Sequence, residues 1–297
     1  MNSHLMDFSK AWKRTRPVNW QLPAACLLGG LALWPLVARL PVVGWDWFYW
    51  FYPRRIDFYP PWTEVVLGPL LALPWRTGLS LLNGIMLMTV AVGAASEDRS
   101  GTRHSILTAA GLAVVTPPVF MALWLGNVEG LVLLGIITFP PGVVLALMKP
   151  HLTGWAVLAR RQWILWAVGF GVLSVLVWGW WPAQMVADFG RLTDNPMAIG
   201  WYNLGWPVAV LGGILLLFST ADPYRLMAAG FLLTPYLMPN HMLLLLPVLG
   251  RVSGWRRAVL WLFCWVSGVA AGIEEGALRY LVLSFPLAVW WFLRKDE

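Results

Sequence analysis

The side chains best suited to chemistry lie in the segment 41–61, between two apolar runs. This segment holds two carboxylates, Asp46 and Asp57, and two guanidinium groups, Arg54 and Arg55. Six aromatic residues stand among these charges, at Trp45, Trp47, Tyr49, Trp50, Tyr52 and Tyr59. Tryptophan and tyrosine are common at membrane interfaces and also stack on sugars, so both interpretations stay open. A carboxylate among aromatic rings loses part of its hydration, which costs free energy. A catalytic role would explain why the sequence keeps carboxylates there, so Asp46 and Asp57 are candidate catalytic residues.

Three further polar pairs interrupt apolar runs later in the chain. They are Asn127 with Glu129, Lys149 with His151, and Asn240 with His241. An ionisable group at membrane depth predicts a functional site. Each pair also has a structural interpretation. A lysine near a helix end can extend its ammonium to the membrane surface, a single histidine is usually structural, and Asn127 suits the N-cap of the next helix.

Carboxylates beside cations suit the transfer of a sugar from a lipid-linked phosphate. A carboxylate can act as the general base that takes the proton of an acceptor hydroxyl. Arginine, lysine and histidine can offset the negative charge that develops on the departing phosphate. A lipid donor would also explain why such a site lies at the membrane. The sequence holds no nucleotide-binding loop of the P-loop or Rossmann type that would favour a nucleotide-sugar donor.

The composition requires that membrane-embedded helices position these residues. Of 297 residues, 59% are hydrophobic and only 12% are charged, and the mean hydropathy is +0.66. Soluble domains carry about 25% charged residues, so a cytosolic enzyme, a secreted module and a disordered chain are excluded. Cys26 and Cys264 lie inside apolar runs, which predicts neither a disulfide nor a metal site. The net charge of +7 is explained by the excess of positive residues in cytoplasmic loops, so we expect no nucleic-acid partner.

We predict an all-α integral membrane protein, a polytopic bundle of about ten transmembrane helices in a single domain, 1–297. Residues 1–19 form a basic cytoplasmic segment, and the first apolar run is long enough to stay as a membrane span. The outer loop 41–75 contains a half-length surface helix at 62–73, ended by Pro74. The predicted apolar segments are 20–40, 77–95, 106–125, 127–158, 163–181, 204–219, 226–238, 241–250, 258–272 and 277–293. Most of the basic residues then fall on the inner side, with both termini cytoplasmic.

The order of several short motifs resembles a known family, the GT-C glycosyltransferases that use polyprenyl-phosphate sugars. The likeness is strongest to the compact branch that includes bacterial envelope α-mannosyltransferases, and it covers roughly residues 44–250. The motifs are Asp46 in the first outer loop, Tyr59-Pro60-Pro61 before an apolar stretch with Pro69 and Pro74, Asn83, Gly126-Asn127, Lys149-Pro150, Thr234-Pro235, Asn240-His241 and Leu246-Pro247.

The resemblance implies a GT-C-like fold and an inverting transfer of a hexose, with mannose favoured, to an extracytoplasmic lipid or glycan acceptor. It implies that Asp46 is the general base, and we keep Asp57 as the alternative. Arg54, Arg55, Lys149 and His241 would bind the donor phosphate. The residues expected to contact substrate are Tyr59, Asn127, Glu129, His151 and Asn240. No metal and no cofactor are expected, because two loop carboxylates alone make a weak metal site.

Two other classes of protein stay open. A small transporter or lipid-carrier flippase would place its charges along a pathway at the middle of the membrane and often shows inverted repeats. An assembly protein of the cell envelope would tolerate replacement of the outer carboxylates. The expected location is the inner membrane of a bacterial cell, with membrane lipids, a polyprenyl-phosphate sugar and its acceptor as partners.

Overall fold

The structure, a computed structural model, describes residues 20–54, 59–193, 198–273 and 275–294, without the side chains of 188–193. Within these ranges the chain is helical and contains no strand, which confirms the predicted all-α class. The α-helices of the first half are α1 Gln21–Val37, α2 Trp62–Leu71, α3 Trp75–Ser96, α4 Arg103–Val114, α5 Pro117–Leu125, α6 Glu129–Ile137, α7 Val143–Ala146 and α8 Pro150–Val157.

The second half continues in the same way, with short irregular turns between helices. Its α-helices are α9 Arg161–Trp178, α10 Trp181–Thr193, α11 Trp201–Leu204, α12 Trp206–Leu217, α13 Pro223–Leu233, α14 Val248–Arg251, α15 Trp255–Ala270 and α16 Ser284–Leu293. A π-helical turn covers Trp47–Phe51, and 3₁₀ helices cover Pro239–Leu245 and Ala277–Leu283.

Among the described residues, two helices are long and apolar enough to cross a membrane alone, α3 and α9. A third crossing is possible if α4 and α5 count together, although they bend by 52° at their junction. The bend falls at Pro117 and Pro118, which lack the backbone N–H groups that would continue α4. Other predicted segments form single but shorter helices, such as α1 with 17 residues and α12 with 12. By length and composition, the described chain therefore supports two or three of the predicted crossings.

Helix α3 is the centre of the bundle and packs against α1, α4 and α6. It lies close to α1 where two glycines, Gly30 and Gly84, face each other. A Cβ atom added to Gly84 would lie 2.6 Å from the Gly30 carbonyl oxygen, so only glycine allows this crossing. With 22 residues, α3 is about 33 Å long, close to the thickness of a bilayer's hydrocarbon core.

The region 127–158 folds as a tight hairpin followed by a separate helix. Helix α6 runs away from Glu129, the chain turns at 138–142, and α7 returns beside it. A Cβ atom on Gly135 would lie 2.2 Å from the Ala146 nitrogen, so the absence of a side chain lets the two arms touch. The hairpin therefore brings Lys149, twenty residues along the chain, back to Glu129, where the two side chains form an ion pair.

Two predictions about the outer segments can be compared directly with the structure. The predicted half-length helix at 62–73 is present as α2, although it ends at Leu71, and Pro74 instead precedes the first residue of α3. The sequence predicts no helix between 181 and 204, yet α10 lies there. Its mixed polar and apolar residues keep its hydropathy below that of a membrane span.

The end of α3 at Ser96 carries a cluster of ion pairs. Arg251 contacts Glu97 at 2.7 Å and also pairs with Asp222. Arg257 contacts Asp98 at 2.8 Å. Burial raises the pKa of Asp98, but hydrogen bonds from Ser100, Ser105 and Arg257 outweigh it and lower that pKa to about 2. These contacts join the ends of α3, α4, α13, α14 and α15.

Candidate functional site

Asp46 lies at the other end of α3 and starts the π-helical turn. Two buried rings of this turn, Trp47 and Phe51, anchor it to the core, and the Trp47 indole donates a hydrogen bond to the Trp75 carbonyl at 2.9 Å. Two glycines with left-handed backbone, Gly44 and Gly126, let this turn approach the start of α6. A Cβ atom on Gly126 would lie 3.3 Å from the Gly44 Cα atom.

Asn127 connects the candidate base, Asp46, with a candidate substrate-binding residue, Tyr59. Its Nδ2 donates to the Asp46 carboxylate at 2.5 Å, while its Oδ1 accepts from the Tyr59 hydroxyl at 3.0 Å. The same Oδ1 accepts the Val128 backbone N–H at 2.7 Å, which fixes the orientation of the amide. The Asn127 side chain therefore holds the Asp46 carboxylate and the Tyr59 hydroxyl in one fixed arrangement.

A fully buried charge cluster lies behind Asp46. Glu129 is 0% exposed and Lys149 is 4% exposed, and these two side chains form an ion pair. Asn240 Nδ2 donates to Glu129 Oε1 at 2.8 Å. Because a buried charge is costly unless it is paired, each of these two side chains provides the partner that the other needs in the interior.

His241 completes this cluster with a defined ring orientation. Its Nδ1 accepts the Met238 backbone N–H at 3.1 Å, so a neutral ring carries its proton on Nε2. Nε2 lies 3.5 Å from Glu129 Oε1 and 3.1 Å from Lys149 Nζ. A protonated Nε2 cannot accept from the Lys149 ammonium, so the Glu129 carboxylate is the acceptor that this tautomer faces.

Two buried acceptors of this cluster have no hydrogen-bond donor among the described residues. They are Glu129 Oε2 and Asn240 Oδ1. Buried polar atoms are almost always hydrogen-bonded in folded proteins. These two enclosed oxygens are thus acceptors that a buried water could satisfy.

Half-buried rings surround the cluster on its accessible side. The Lys149 ammonium lies 5.4 Å from the centre of the Tyr59 ring. The rings of Tyr236 and His151 lie edge-on to His241, with centroids 6.0 Å and 6.1 Å away. Together with Asp46, these rings form the boundary between the buried charges and the surface.

A groove of about 730 Å³ begins on the other side of Tyr59. Arg54 and Glu64 lie on it and form a solvent-exposed ion pair at 3.3 Å. Tyr59 lines the groove and also bonds Asn127, so its ring separates the groove from the polar cluster.

The surroundings of Asp46 favour a general base. Burial, with a smaller contribution from the charge of Glu129, raises the pKa of Asp46 to about 6 against the lowering effects of Lys149 and the Asn127 hydrogen bond. At neutral pH the carboxylate is therefore mostly ionised, yet it holds a proton far better than an ordinary aspartate. Burial, followed by the charges of Glu129 and Asp46, raises the pKa of Tyr59 well above its ordinary value. Tyr59 thus stays protonated and acts as a hydrogen-bond donor.

The structure brings together most of the residues that the sequence singles out. They are Asp46, Tyr59, Asn127, Glu129, Lys149, His151, Asn240 and His241. Arg54 lies in the groove and pairs with Glu64 instead of joining this group. Lys149, a predicted phosphate ligand, has its ammonium on Glu129. Arg55 and Asp57 lie outside the described residues.

Sequence reasoning missed one ring of this site, Tyr236. A signal was present, because Tyr236 follows Thr234-Pro235 in the same interruption of the apolar run that contains Asn240 and His241. Thr234 also contributes, since its hydroxyl contacts the His151 carbonyl at 3.3 Å. Within the described part of the chain, no group of three or more His, Cys, Asp or Glu side chains could hold a metal ion.

Comparisons with protein-family models, with curated proteins and with solved structures find no match to this chain. The functional conclusion therefore depends on the chemistry and geometry of the site.

Proposed function

We propose that this protein is a membrane glycosyltransferase that moves a hexose, with mannose favoured, from a polyprenyl-phosphate donor to an extracytoplasmic lipid or glycan acceptor. The observation that carries the proposal is the environment of the Asp46 carboxylate. It is a partly accessible carboxylate with a raised pKa, held by Asn127 above a buried ion pair. The resemblance to GT-C enzymes that use polyprenyl-phosphate sugars supports the same chemistry.

In the proposed reaction, an acceptor hydroxyl oxygen attacks the anomeric carbon of the sugar while Asp46 takes the hydroxyl proton. The bond between that carbon and the phosphate oxygen breaks, and its electron pair leaves with the lipid phosphate. Attack from the face opposite the leaving group inverts the anomeric configuration. Arg54 is the donor that can contact the phosphate from the groove, because the Tyr59 hydroxyl hydrogen is already donated to Asn127.

We propose further that the shorter helices cross the membrane together with α3 and α9, giving about ten crossings in a GT-C-like arrangement. The supporting feature is α3, whose two ends carry different polar clusters. Asp46 and its partners lie near Trp75, and the cluster with Arg251 and Arg257 lies near Ser96. The excess of arginine near Ser96 favours a cytoplasmic location for that end in a bacterial inner membrane, with both termini inside.

The test is transfer by the purified protein in lipid nanodiscs. Radiolabelled polyprenyl-phosphate mannose and its glucose analogue are supplied as donors, with a membrane lipid extract as acceptor. Asp46→Asn removes the base but keeps the size of the side chain and should lower turnover about 10²–10⁴-fold. Glu275→Gln is the matched control, because Glu275 is an exposed carboxylate outside the site, and it should leave turnover unchanged.

Two outcomes would overturn the proposal. Near-normal turnover of Asp46→Asn would remove Asp46 as the base. A wild-type protein that transfers no sugar from any donor, but moves labelled polyprenyl phosphate between leaflets, would instead be a flippase.

A further inference from the structure

A second cavity, of about 170 Å³, lies between the end of α1 and the start of α3. One wall is formed by residues of the segment 37–42, which connects α1 to the turn of Asp46. The other wall is formed by the first turns of α3, with Trp75, Arg76, Leu79 and Ser80. None of these lining residues belongs to the groove beside Tyr59. The volume is below that of a typical site for a whole small molecule, so it suits the headgroup of a larger ligand.

Two arginines at this cavity lack an acidic partner. Arg76 lines the cavity, Arg39 lies between two of its lining residues, and both are exposed. Among the described residues Arg54 pairs with Glu64, but no carboxylate pairs with Arg39 or Arg76. The Arg76 guanidinium instead lies 5.2 Å from the centre of the Trp75 ring. A guanidinium without a carboxylate is a good phosphate ligand, because it can donate two parallel hydrogen bonds.

The location of these arginines is unusual for a membrane protein. In the orientation proposed above, the Trp75 end of α3 is outside. Arginine is enriched on the cytoplasmic side of membrane proteins, so topology does not explain Arg39 and Arg76. An anion drawn from the outer surface of the membrane would supply the negative charge that the described residues do not provide.

Aromatic rings place the cavity at the depth of lipid headgroups. Trp45, Phe48 and Tyr49 expose 46%, 46% and 48% of their surface. The Phe48 ring packs edge-on against the Trp75 ring, with centroids 5.5 Å apart. Tryptophan and tyrosine concentrate at the headgroup level of bilayers. The Arg76 guanidinium beside these rings therefore lies where lipid phosphates are found.

An apolar surface continues from the cavity onto α1. This helix carries no charged residue, and Leu28, Leu31 and Leu36 each expose more than half of their surface. Acyl chains could lie along it while a phosphate stays at Arg76. The combination of unpaired positive charge with an adjoining apolar surface fits an anionic lipid better than a free anion, which would use the arginines alone.

We propose that this cavity binds the phosphate of an anionic phospholipid of the outer leaflet, with Arg76 as its donor and Arg39 adding positive charge. The proposal goes beyond sugar transfer and depends only on the proposed membrane orientation. The site also borders the turn of Asp46, because Cβ atoms on Gly44 and Gly126 would each lie 2.5 Å from a methyl carbon of Leu79. A bound lipid would therefore contact the residue that packs between these two glycines.

Photocrosslinking in lipid nanodiscs tests this site locally. Phosphatidylglycerol with a photoreactive group on one acyl chain, near the glycerol, is added to the full chain in phosphatidylcholine nanodiscs. Mass spectrometry of the peptides should find crosslinks within 37–42 and 75–80. Arg76→Gln should lower this yield about tenfold, the loss expected for hydrogen bonds between charged groups.

Arg103→Gln is the matched control. Arg103 is also an exposed arginine, but it begins α4, near the cluster at the other end of α3. This variant should keep the wild-type yield within 37–42 and 75–80. Ala38→Trp protects the test against a folding defect in Arg76→Gln. Ala38 is exposed on the cavity wall, so a large ring there should block the site and remove the crosslinks without a change of charge.

Three results would overturn the proposal. They are unchanged crosslinking in Arg76→Gln, equal crosslinking by a phosphatidylcholine probe of the same design, and suppression by sodium phosphate as complete as that by unlabelled phosphatidylglycerol. The second result would indicate ordinary bilayer lipid, and the third a site for a free anion.

The lipid site and the enzyme can fail separately. Crosslinks that are lost in Arg76→Gln, in a protein that transfers no sugar, would keep the lipid site and reject the proposed function. Sugar transfer by a protein that both lipid probes label equally would keep the enzyme and reject the lipid site.

Discussion

At the residue scale, the site combines one accessible carboxylate with one buried ion pair. Asp46 is half-buried and can reach a substrate, whereas Glu129 and Lys149 are enclosed and pair with each other. The accessible carboxylate is the group that can exchange a proton with a ligand. Burial is the main cause of the raised pKa of Asp46, and the two buried charges modify that pKa, Lys149 downward and Glu129 upward.

The titration of Asp46 predicts the pH dependence of transfer. The pKa of Asp46 is raised to about 6, and only the ionised form can accept a proton. Transfer should therefore increase as pH rises through about 6 and should fall about tenfold for each pH unit below about 5. The measurement is kcat/KM between pH 4.5 and 8 in nanodiscs. A flat profile between pH 5 and 7 would contradict the role of Asp46 as the base.

The hydrogen bond from Asn127 predicts a shift of this profile. Asn127→Asp replaces the donor to Asp46 with a second carboxylate, and two like charges in contact raise the pKa of one of them. The acid limb of the profile should therefore move to higher pH. Asn127→Ala removes the hydrogen bond without adding charge, so it should lower turnover with a smaller shift in pH. Equal shifts in the two variants would show that the added charge does not change the pKa of Asp46.

At the element scale, the hairpin of α6 and α7 creates the buried pair. The sequence predicts that Glu129 and Lys149 are separate polar interruptions, because Pro140-Pro141-Gly142 is equally typical of a break within one crossing and of a reversal of the chain. The reversal depends on Gly135 meeting Ala146, a contact between distant residues that no local pattern reveals. By contrast, α2 and α3 are predictable from their apolar runs and the proline between them.

The pairing of Glu129 with Lys149 predicts a strong energetic coupling. Glu129→Gln or Lys149→Gln alone leaves a buried charge without a partner, which should cost about 3–5 kcal/mol of stability. The double variant should lose clearly less than the sum of the two single losses, with a coupling of about 2 kcal/mol or more. The measurement is the stability of wild type, the two single variants and the double variant, from thermal unfolding at one scan rate in one detergent.

The exposed pair of Arg54 with Glu64 is the control for this cycle. Its coupling should stay below about 1 kcal/mol, because solvent screens both side chains. Additive losses at Glu129 and Lys149 would mean that the two charges are not coupled in the folded protein.

At the scale of the whole molecule, α3 connects two polar clusters of different character. The cluster near Trp75 contains the candidate base and the buried ion pair of Glu129 with Lys149. The cluster near Ser96 contains arginines that are satisfied by Glu97, Asp98 and Asp222. A helix about as long as a bilayer core is thick would place these clusters on opposite surfaces. Composition alone indicates a membrane protein, but it does not show which helices are interrupted, because interruption depends on local proline and glycine geometry.

The proposed orientation predicts which positions are reachable from outside the cell. Cys26 and Cys264 are buried, so a membrane-impermeant maleimide should report mainly on introduced cysteines. Tyr52→Cys and Glu275→Cys, exposed on the same side as Asp46, should be labelled in intact spheroplasts. His104→Cys and Ser253→Cys, exposed near the arginine cluster, should be labelled only after the membrane is permeabilised. The reverse pattern would place Asp46 in the cytoplasm, and an extracytoplasmic acceptor could not then reach it.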